Sequence, residues 1–452
     1  MKADEILIVS ASGIRGVFEP NESRGFFKNF GRLAGNQFAG SIALGRDSRP
    51  SGKAICSALL EGLLETRASP TYVGLCTVPV LAHAVRKRYV LASIMVTASH
   101  NPPEWNGLKL FAEEGLIIDG AKLRNIADMA LSSPRRAAQG GLDASVKEDT
   151  KLLESYVRDS LSLASMIGAD GRSLRITIDA GNGPSALTVP RILEGMGCNV
   201  EVLNWELDGS FKRPIEPLPE NLLGLREEVL RSGSDFGAGF DCDGDRVVLV
   251  SDDGEILRED YTLALAVDYY LSLRKGPVVV NRATSMLLDQ VCMNHSAPLI
   301  RAGVGERNVA SKMLEVGSEI GGEGSSGGVI LPDFELSRDG GLALILISSF
   351  LRMEKRSLSE IIKRYPRFHM RRKNIHCPAD KVPLILSDIE AEAKSLGNVD
   401  VLDDVRVSGS GWWVLVRPSA TEPVVRILSE ARSEEEAESR MEFFTEVVRK
   451  YL

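Results

Sequence analysis

Three times along this chain a short apolar run, a polar loop, a helix-forming stretch and a second apolar run follow in the same order. Ile42-Ala43-Leu44 leads through a helix at Leu59-Leu60 and Leu63-Leu64 to a strand around Tyr72-Val73. Ile176-Thr177-Ile178 leads through Ile192-Leu193 to Val200-Glu201-Val202, and Val278-Val279-Val280 leads through Met286-Leu287-Leu288 to Leu299-Ile300. A strand, a crossover helix and a second strand of this length form a right-handed parallel unit. Its recurrence points to several related domains. A chain of 452 residues is also too long for one core. The expected fold class is α/β: three related mixed-sheet α/β domains plus a C-terminal α+β domain, over residues 1–146, 147–254, 255–366 and 367–452. A helix over 147–165 joins the first two. Ser251-Asp252-Asp253-Gly254 closes the second, and Tyr365-Pro366-Arg367 breaks a helix before the fourth. The last helix opens with Ser433 and Glu436 as a capping box and buries Ala437, Met441, Phe444 and Val448.

Ligands collect at the carboxyl ends of strands in such sheets, and each repeated unit is followed by one chemically distinctive loop. The run Ala92-Ser93-Ile94-Met95-Val96 delivers Thr97-Ala98-Ser99-His100-Asn101-Pro102. Asn-Pro-Pro stops any helix there, so Ser99 projects from a stiff support, with His100 beside it to handle a proton or orient a charge. The second loop, Asp241-Cys242-Asp243-Gly244-Asp245-Arg246, alternates three carboxylates between two apolar runs. Hard divalent cations such as Mg2+ take oxygen ligands of this kind, whereas a Ca2+ EF-hand needs a longer loop ending in Glu, and the twelfth place is Asp252. Cys242 reads as a small buried filler, not a ligand. The third loop runs from Gly321 to Gly328, and its Glu323 and hydroxyls suit the vicinal hydroxyls of a sugar. A fourth, Arg417-Pro418-Ser419-Ala420-Thr421-Glu422-Pro423, has the guanidinium, hydroxyls and backbone N–H groups of a phosphate cradle. Each loop alone also reads as an ordinary polar turn; the four together do not.

Their order and spacing resemble the α-D-phosphohexomutase family, with an archaeal-type sugar loop, and the resemblance runs over essentially the whole chain. Ser12-Gly13-Ile14-Arg15-Gly16, Gly45-Arg46-Asp47-Ser48-Arg49 and Asp179-Ala180-Gly181-Asn182-Gly183 fit the same pattern. The resemblance implies a heart-shaped arrangement of four domains around one cleft. It implies Ser99 as a phosphoserine that exchanges phosphate with C6 or C1 of a hexose or hexosamine phosphate through a 1,6-bisphosphate. Catalytic roles would fall to Ser99, His100, Lys109 and Arg15, with Lys109 favoured for the proton and His100 for positioning. One Mg2+ per chain would sit on Ser99, Asp241, Asp243 and Asp245. Substrate would meet Arg246, Gly305, Glu323, Ser325, Arg417, Ser419, Ala420 and Thr421, and a glucose- or hexosamine-1,6-bisphosphate would prime the cycle. Phosphoglucosamine mutase is the narrower expectation, phosphomannomutase/phosphoglucomutase the alternative. From other classes stand a non-catalytic sugar-phosphate-binding protein and a plain Mg2+-dependent phosphatase.

The chain departs from the pattern in places. Ser326-Gly327 stands where many bacterial members end the sugar loop in Gly-His. Gly303-Val304-Gly305-Glu306 replaces a loop that often carries histidine. Val78-Pro79 stands for Thr-Pro, and Ala420 for Gly or Asn. The net charge of -8 argues against nucleic acid as a partner, and Arg371-Arg372-Lys373 reads as a solvated linker. Six scattered cysteines without a Cys-x-x-Cys pair suit a reducing compartment. No apolar stretch is long enough for a bilayer, and the N-terminus does not read as a signal peptide. A cytoplasmic protein without membrane contact is expected, its self-association left open.

Overall fold

A computed structural model of the protein describes residues 7–10, 12–133, 147–419 and 423–452, without the side chains of 20–22. Its strands form four sheets. The repeat seen in the sequence is a repeat of topology. In the second sheet Arg175–Asp179 lies between the parallel strands Asn199–Leu203 and Phe236–Phe240, and Val247–Ser251 closes the edge antiparallel. The third sheet repeats this order with Val278–Asn281 between Leu299–Ala302 and Ile320–Glu323, and Gly328–Ile330 antiparallel outside. In the first sheet Ser41–Arg46 lies between Ser69–Leu75 and Ala92–Val96, and Trp105–Ala112 runs antiparallel. Three further strands, Ile8–Ser10, Gly13–Val17 and Leu116–Ile117, extend that sheet.

In all three sheets the third strand of the unit turns back on itself, and that hairpin is where the serine, metal and sugar loops stand. The supporting strands are stiff because they are buried on both faces: every residue of Ala92–Val96 and of Phe236–Phe240 is buried, as continuous apolar runs in covered sheets require. Apolar residues of all three sheets and their helices merge into one cluster, from Val78 and Met95 through Ile176 and Phe240 to Leu263 and Ile345.

The fourth sheet is antiparallel throughout, in the order His369–His376, Val424–Ala431, Trp412–Pro418, Val405–Gly409, Asn398–Val401. It has its own core, in which Val414, Val416 and Ile427 pack on Ile385 and Phe444. The expected stripe Ala437, Met441, Phe444 and Val448 is buried there, on the helix Glu434–Arg449. Polar contacts join this domain to the third: Arg258 donates to Glu430 at 2.9 Å and Ser285 to the same carboxylate at 2.6 Å.

Two readings of the sequence are corrected. Residues 371–373 are not a linker; they lie in the strand His369–His376, paired over its length with Val424–Ala431. Arg371 bonds Glu434 and Glu438 across the sheet's helix, so these charges brace the domain. The capping box at Ser433 is half made: its Oγ accepts from the Glu436 N–H at 3.2 Å, while the reciprocal pair occurs at Ser357 and Glu360. The joining helix spans Lys151–Met166 and buries Leu153, Tyr156 and Val157. No helix among the described residues is long and apolar enough to cross a membrane.

Candidate active site

Ser99 is fully buried and sits in a left-handed backbone conformation, φ +52°. A non-glycine residue there is strained and persists only when its surroundings fix it. The Ser99 N–H donates to Thr97 Oγ1 at 2.9 Å. Arg49, itself 1% exposed, donates to the carbonyls of Ser99 and Asn101 at 2.6 Å each, to Trp105 at 2.9 Å and to Pro102. Asp47 anchors Arg49 through Nε at 3.1 Å. The Arg-Asp-Ser-Arg motif is thus a clamp on the serine loop.

The clamp reaches the metal loop. Cys242 Sγ lies 3.1 Å from Asp47 Oδ2 and 3.2 Å from the Ser99 carbonyl oxygen. It is buried as expected, but it is a donor between two loops and not an inert filler. The other two units buttress their loops in the same way. Arg213, paired with Asp179 at 2.8 Å, donates to the carbonyl of Phe240 just before Asp241 at 2.6 Å. Asn281 donates to Glu323 at 2.9 Å and to Ser325 at 3.3 Å.

Asp241, Asp243 and Asp245 are fully buried and present ligand atoms within 4.8 Å of one another. Gly244 makes the turn at φ +74°, where a Cβ would press on Thr77 at 2.8 Å. Asp241 Oδ2 accepts from Ser99 Oγ at 3.0 Å. Asp243 Oδ2 takes Thr97 Oγ1 at 3.1 Å and Lys109 Nζ at 2.9 Å. Asp245 Oδ2 takes Lys109 at 2.7 Å and Arg338 at 2.8 Å. Asp243 Oδ1 and Asp245 Oδ1 are buried with no hydrogen-bond partner. Each of these two carboxylates has one oxygen pinned and one left over, which is the donor set a hard divalent cation requires.

The electrostatics agree. Burial, then Asp243 and Asp245, push the Asp241 carboxyl well above its usual range. Burial would raise Asp245 too, but Arg338, Lys109 and Arg246 outweigh it and hold it low. Lys109, 4% exposed, stays a cation because its two carboxylates overcome the burial that opposes its charge. His100 is the opposite case: Arg246, burial and Arg15 hold its imidazole far below the ordinary histidine value. Its Nδ1 lies 3.4 Å from Ser99 Oγ. Arg15, lowered to about 10 by burial and Arg246, donates to Asn101 at 2.9 Å. Arg246 stands 3.8 Å from both Asp241 and Asp245.

Glu323 and Ser325 stand together on the third sheet's hairpin. The N–H of Gly305, φ +122°, is committed to Glu323 Oε1 at 2.9 Å. A cavity of 770 Å³ between the third and fourth domains is lined in part by Arg282, Arg301, Arg417 and Ser419. Burial and Arg426, opposite it across the strand pair, lower Arg417, while Asp404 and Glu323 act the other way. Ala420 and Thr421 lie outside the described residues. Two charged groups escaped the sequence reading. Arg338 and Glu306 pair at 2.9 Å in the middle of the site. The charged pair Arg338-Asp339 before Gly340-Gly341, opening a helix, was the available signal.

Comparison with known proteins covers the same ground. Residues 7–135, 154–254 and 258–368 match the models for phosphoglucomutase/phosphomannomutase α/β/α domains I, II and III, and residues 371–447 match that for the C-terminal domain. A probable phosphoglucosamine mutase of Methanopyrus kandleri is 36% identical over 447 residues, 97% of each chain. A phosphoglucomutase/phosphomannomutase of Thermococcus kodakarensis is 34% identical over 89% of this chain and 88% of its own. The crystal structure of a phosphoglucomutase/phosphomannomutase family protein from Burkholderia thailandensis superposes with a TM-score of 0.83 at 26% identity, covering 98% of this chain and 97% of that one.

Proposed function

The chain belongs to the phosphoglucomutase/phosphomannomutase family, the α-D-phosphohexomutases, and from that premise we propose that it moves phosphate reversibly between C6 and C1 of glucosamine phosphate. The observation that carries the reading is Ser99 Oγ against Asp241 at 3.0 Å, inside a three-carboxylate nest with unpaired oxygens. Residues 1–146, 147–254, 255–366 and 367–452 would supply the phosphoserine, metal, sugar and phosphate loops in turn.

A sugar hydroxyl attacks the phosphorus of phosphoserine 99; the new O–P bond forms as the Ser99 Oγ–P bond breaks, giving a 1,6-bisphosphate. After the intermediate reorients, Ser99 Oγ attacks the other phosphate and the sugar oxygen leaves with a proton. Such transfers depend on in-line positioning and charge neutralisation. Arg15 and Arg246 share the charge on the serine phosphate. Glu323 and Ser325 hold two hydroxyls, and Arg417, Ser419, Ala420 and Thr421 hold the phosphate that is not reacting. Lys109 carries the proton to and from the sugar oxygen, and His100 orients the serine. Bound at Asp241, Asp243 and Asp245, Mg2+ would neutralise a phosphoryl oxygen and take over the carboxylate charge that otherwise pins Lys109 as a cation.

Turnover of glucosamine 6-phosphate, mannose 1-phosphate and glucose 1-phosphate, each with a trace of the matching 1,6-bisphosphate, tests the reading. Glucosamine phosphate should have the highest kcat/KM, and intact-mass mapping should find a phosphoryl group on the Ser99 peptide. Ser99→Ala should lose isomerisation by about 10⁴-fold or more. No turnover of any of the three, or full activity without Ser99, would sink it. The 34%-identical Thermococcus relative supports a second reading in which mannose and glucose phosphates are preferred.

A further inference from the structure

Three of the site's segments meet on the side chain of Arg338. It leaves a loop between the strand Gly328–Ile330 and the helix Gly340–Glu354 and is 7% exposed. Nη2 donates to Asp245 Oδ2 of the metal loop at 2.8 Å. Nη1 donates to Ser326 Oγ at 2.9 Å and lies 3.3 Å from Glu323 Oε2, both on the sugar loop. Nε is held by Glu306 at 2.9 Å. Glu306 also accepts from Ser337 Oγ at 3.1 Å and from the Arg338 N–H at 3.3 Å, so the arginine is fixed at its root.

The sugar loop is shaped to let this side chain pass. A Cβ at Gly328 would fall 2.3 Å from Arg338 Cδ and 2.9 Å from its Cβ, too close for any side chain to relieve by moving its tip. The consequence for Glu323 is specific. Its Oε1 is taken by Asn281 and the Gly305 N–H, and its Oε2 faces Arg338. The carboxylate is therefore held at both ends, with its remaining lone pairs as acceptors. At the metal loop the same guanidinium occupies one oxygen of Asp245 while the other is left without a hydrogen-bond partner.

Resting on the mutase reading above, we propose that Arg338 is a positioning residue with two opposed tasks: it orients Glu323 to accept from sugar hydroxyls, and it weakens the hold of the metal loop on its cation. A planar fork serves both loops at once; an ammonium, a single point charge, cannot. Removing the guanidinium frees Glu323 to turn, and removes a positive charge beside the triad, so the two binding events respond in opposite directions.

The test compares wild type, Arg338→Met, Arg338→Lys and Glu306→Gln. KM is measured with the hexose or hexosamine phosphate that wild type turns over best, and Mg2+ affinity by calorimetry on the unphosphorylated protein, which needs no sugar. Arg338→Met should raise KM about tenfold or more while tightening Mg2+ severalfold. Arg338→Lys should return Mg2+ affinity to within about threefold of wild type, because the charge is kept, but should not restore KM. Glu306→Gln, which loosens the arginine without removing it, should move both constants in the Met direction by less, and carries the test should Arg338→Met fail to fold. Mere structural damage would weaken both events together. Any result in which KM and the Mg2+ dissociation constant do not move apart overturns the proposal. A wild type that turns over no hexose or hexosamine phosphate sinks the proposed function instead, and the Mg2+ arm then still decides whether Arg338 restrains the metal loop.

Discussion

The metal loop and the phosphate loop handle charge in opposite ways. At the metal loop, three fully buried carboxylates face Lys109 from a strand, Arg338 from another loop and Arg246 from the metal loop itself. The counter-charges are part of the fold, and what remains unmet is two carboxylate oxygens. At the phosphate loop, Arg417 and Arg426 stand directly opposite each other in an antiparallel pair. Like charges so placed repel, and burial together with Arg426 lowers Arg417. The first site suits a resident ion. The second sets guanidiniums against each other on a domain with a separate core, a repulsion that an incoming dianion would relieve.

Asp241→Asn strikes the first half of this contrast. Isomerisation should fall on the order of 10³-fold, and added Mg2+ should not restore it. The metal-free protein should nevertheless melt higher than wild type. Burial and two neighbouring carboxylates raise the Asp241 carboxyl in the fold, so its ionised form costs stability at neutral pH, and that cost is relieved only as pH falls through the raised value. An uncharged amide keeps the acceptor for Ser99 and drops the cost. A lower melting temperature for the metal-free variant would show that the local cations already balance the triad.

Arg417→Met strikes the second half. KM for the sugar phosphate should rise roughly 30-fold, the value of about 2 kcal/mol for a charge-assisted hydrogen bond, with a smaller effect on kcat. Melting temperature should hold or rise, since a half-buried cation facing Arg426 is removed. A kcat loss at unchanged KM would mean the cradle does not grip the ground state.

The difference between the two loops also marks what the sequence could tell. The carboxylate triad was legible because its members alternate within five residues, and Ser99 because an apolar strand delivers it into a helix-stopping turn. The repeat was legible because three apolar patterns share one order. The task of Arg338 was not, because its partner Asp245 lies 93 residues away and the charged pair with Asp339 marks locally only the start of a helix. Arg49 belongs to the motif Gly45-Arg46-Asp47-Ser48-Arg49, but its task, holding four carbonyls of another loop, has no sequence signature. The strand at residues 369–376 was missed for a physical reason: its burial alternates weakly, and charged side chains occupy its half-exposed positions. Cys242 was placed correctly but underread, since burial alone does not reveal that Asp47 awaits its thiol.

The smallest expected effect concerns a histidine under the same cationic pressure as Arg417, but on the metal side. Arg246, burial and Arg15 press on His100, Arg338 adds to them and Asp245 opposes, and the net result is a depressed imidazole pKa. For a base lowered in the fold, the unfolded chain binds the extra proton. Stability from this residue is therefore intact above about pH 6.5, the ordinary histidine value, and is lost as pH falls toward the depressed one, at about 1.4 kcal/mol per pH unit. Urea unfolding of the unphosphorylated, metal-free protein at pH 8, 6.5 and 5.5 should show His100→Asn losing less stability than wild type over the last step, by roughly 1 kcal/mol. With phosphate on Ser99 the added negative charge offsets Arg246 and Arg15, and the gap between the two proteins should close. Parallel curves in the unphosphorylated state would mean that the imidazole titrates normally, and that the cations around Ser99 are already answered by the carboxylates beneath it.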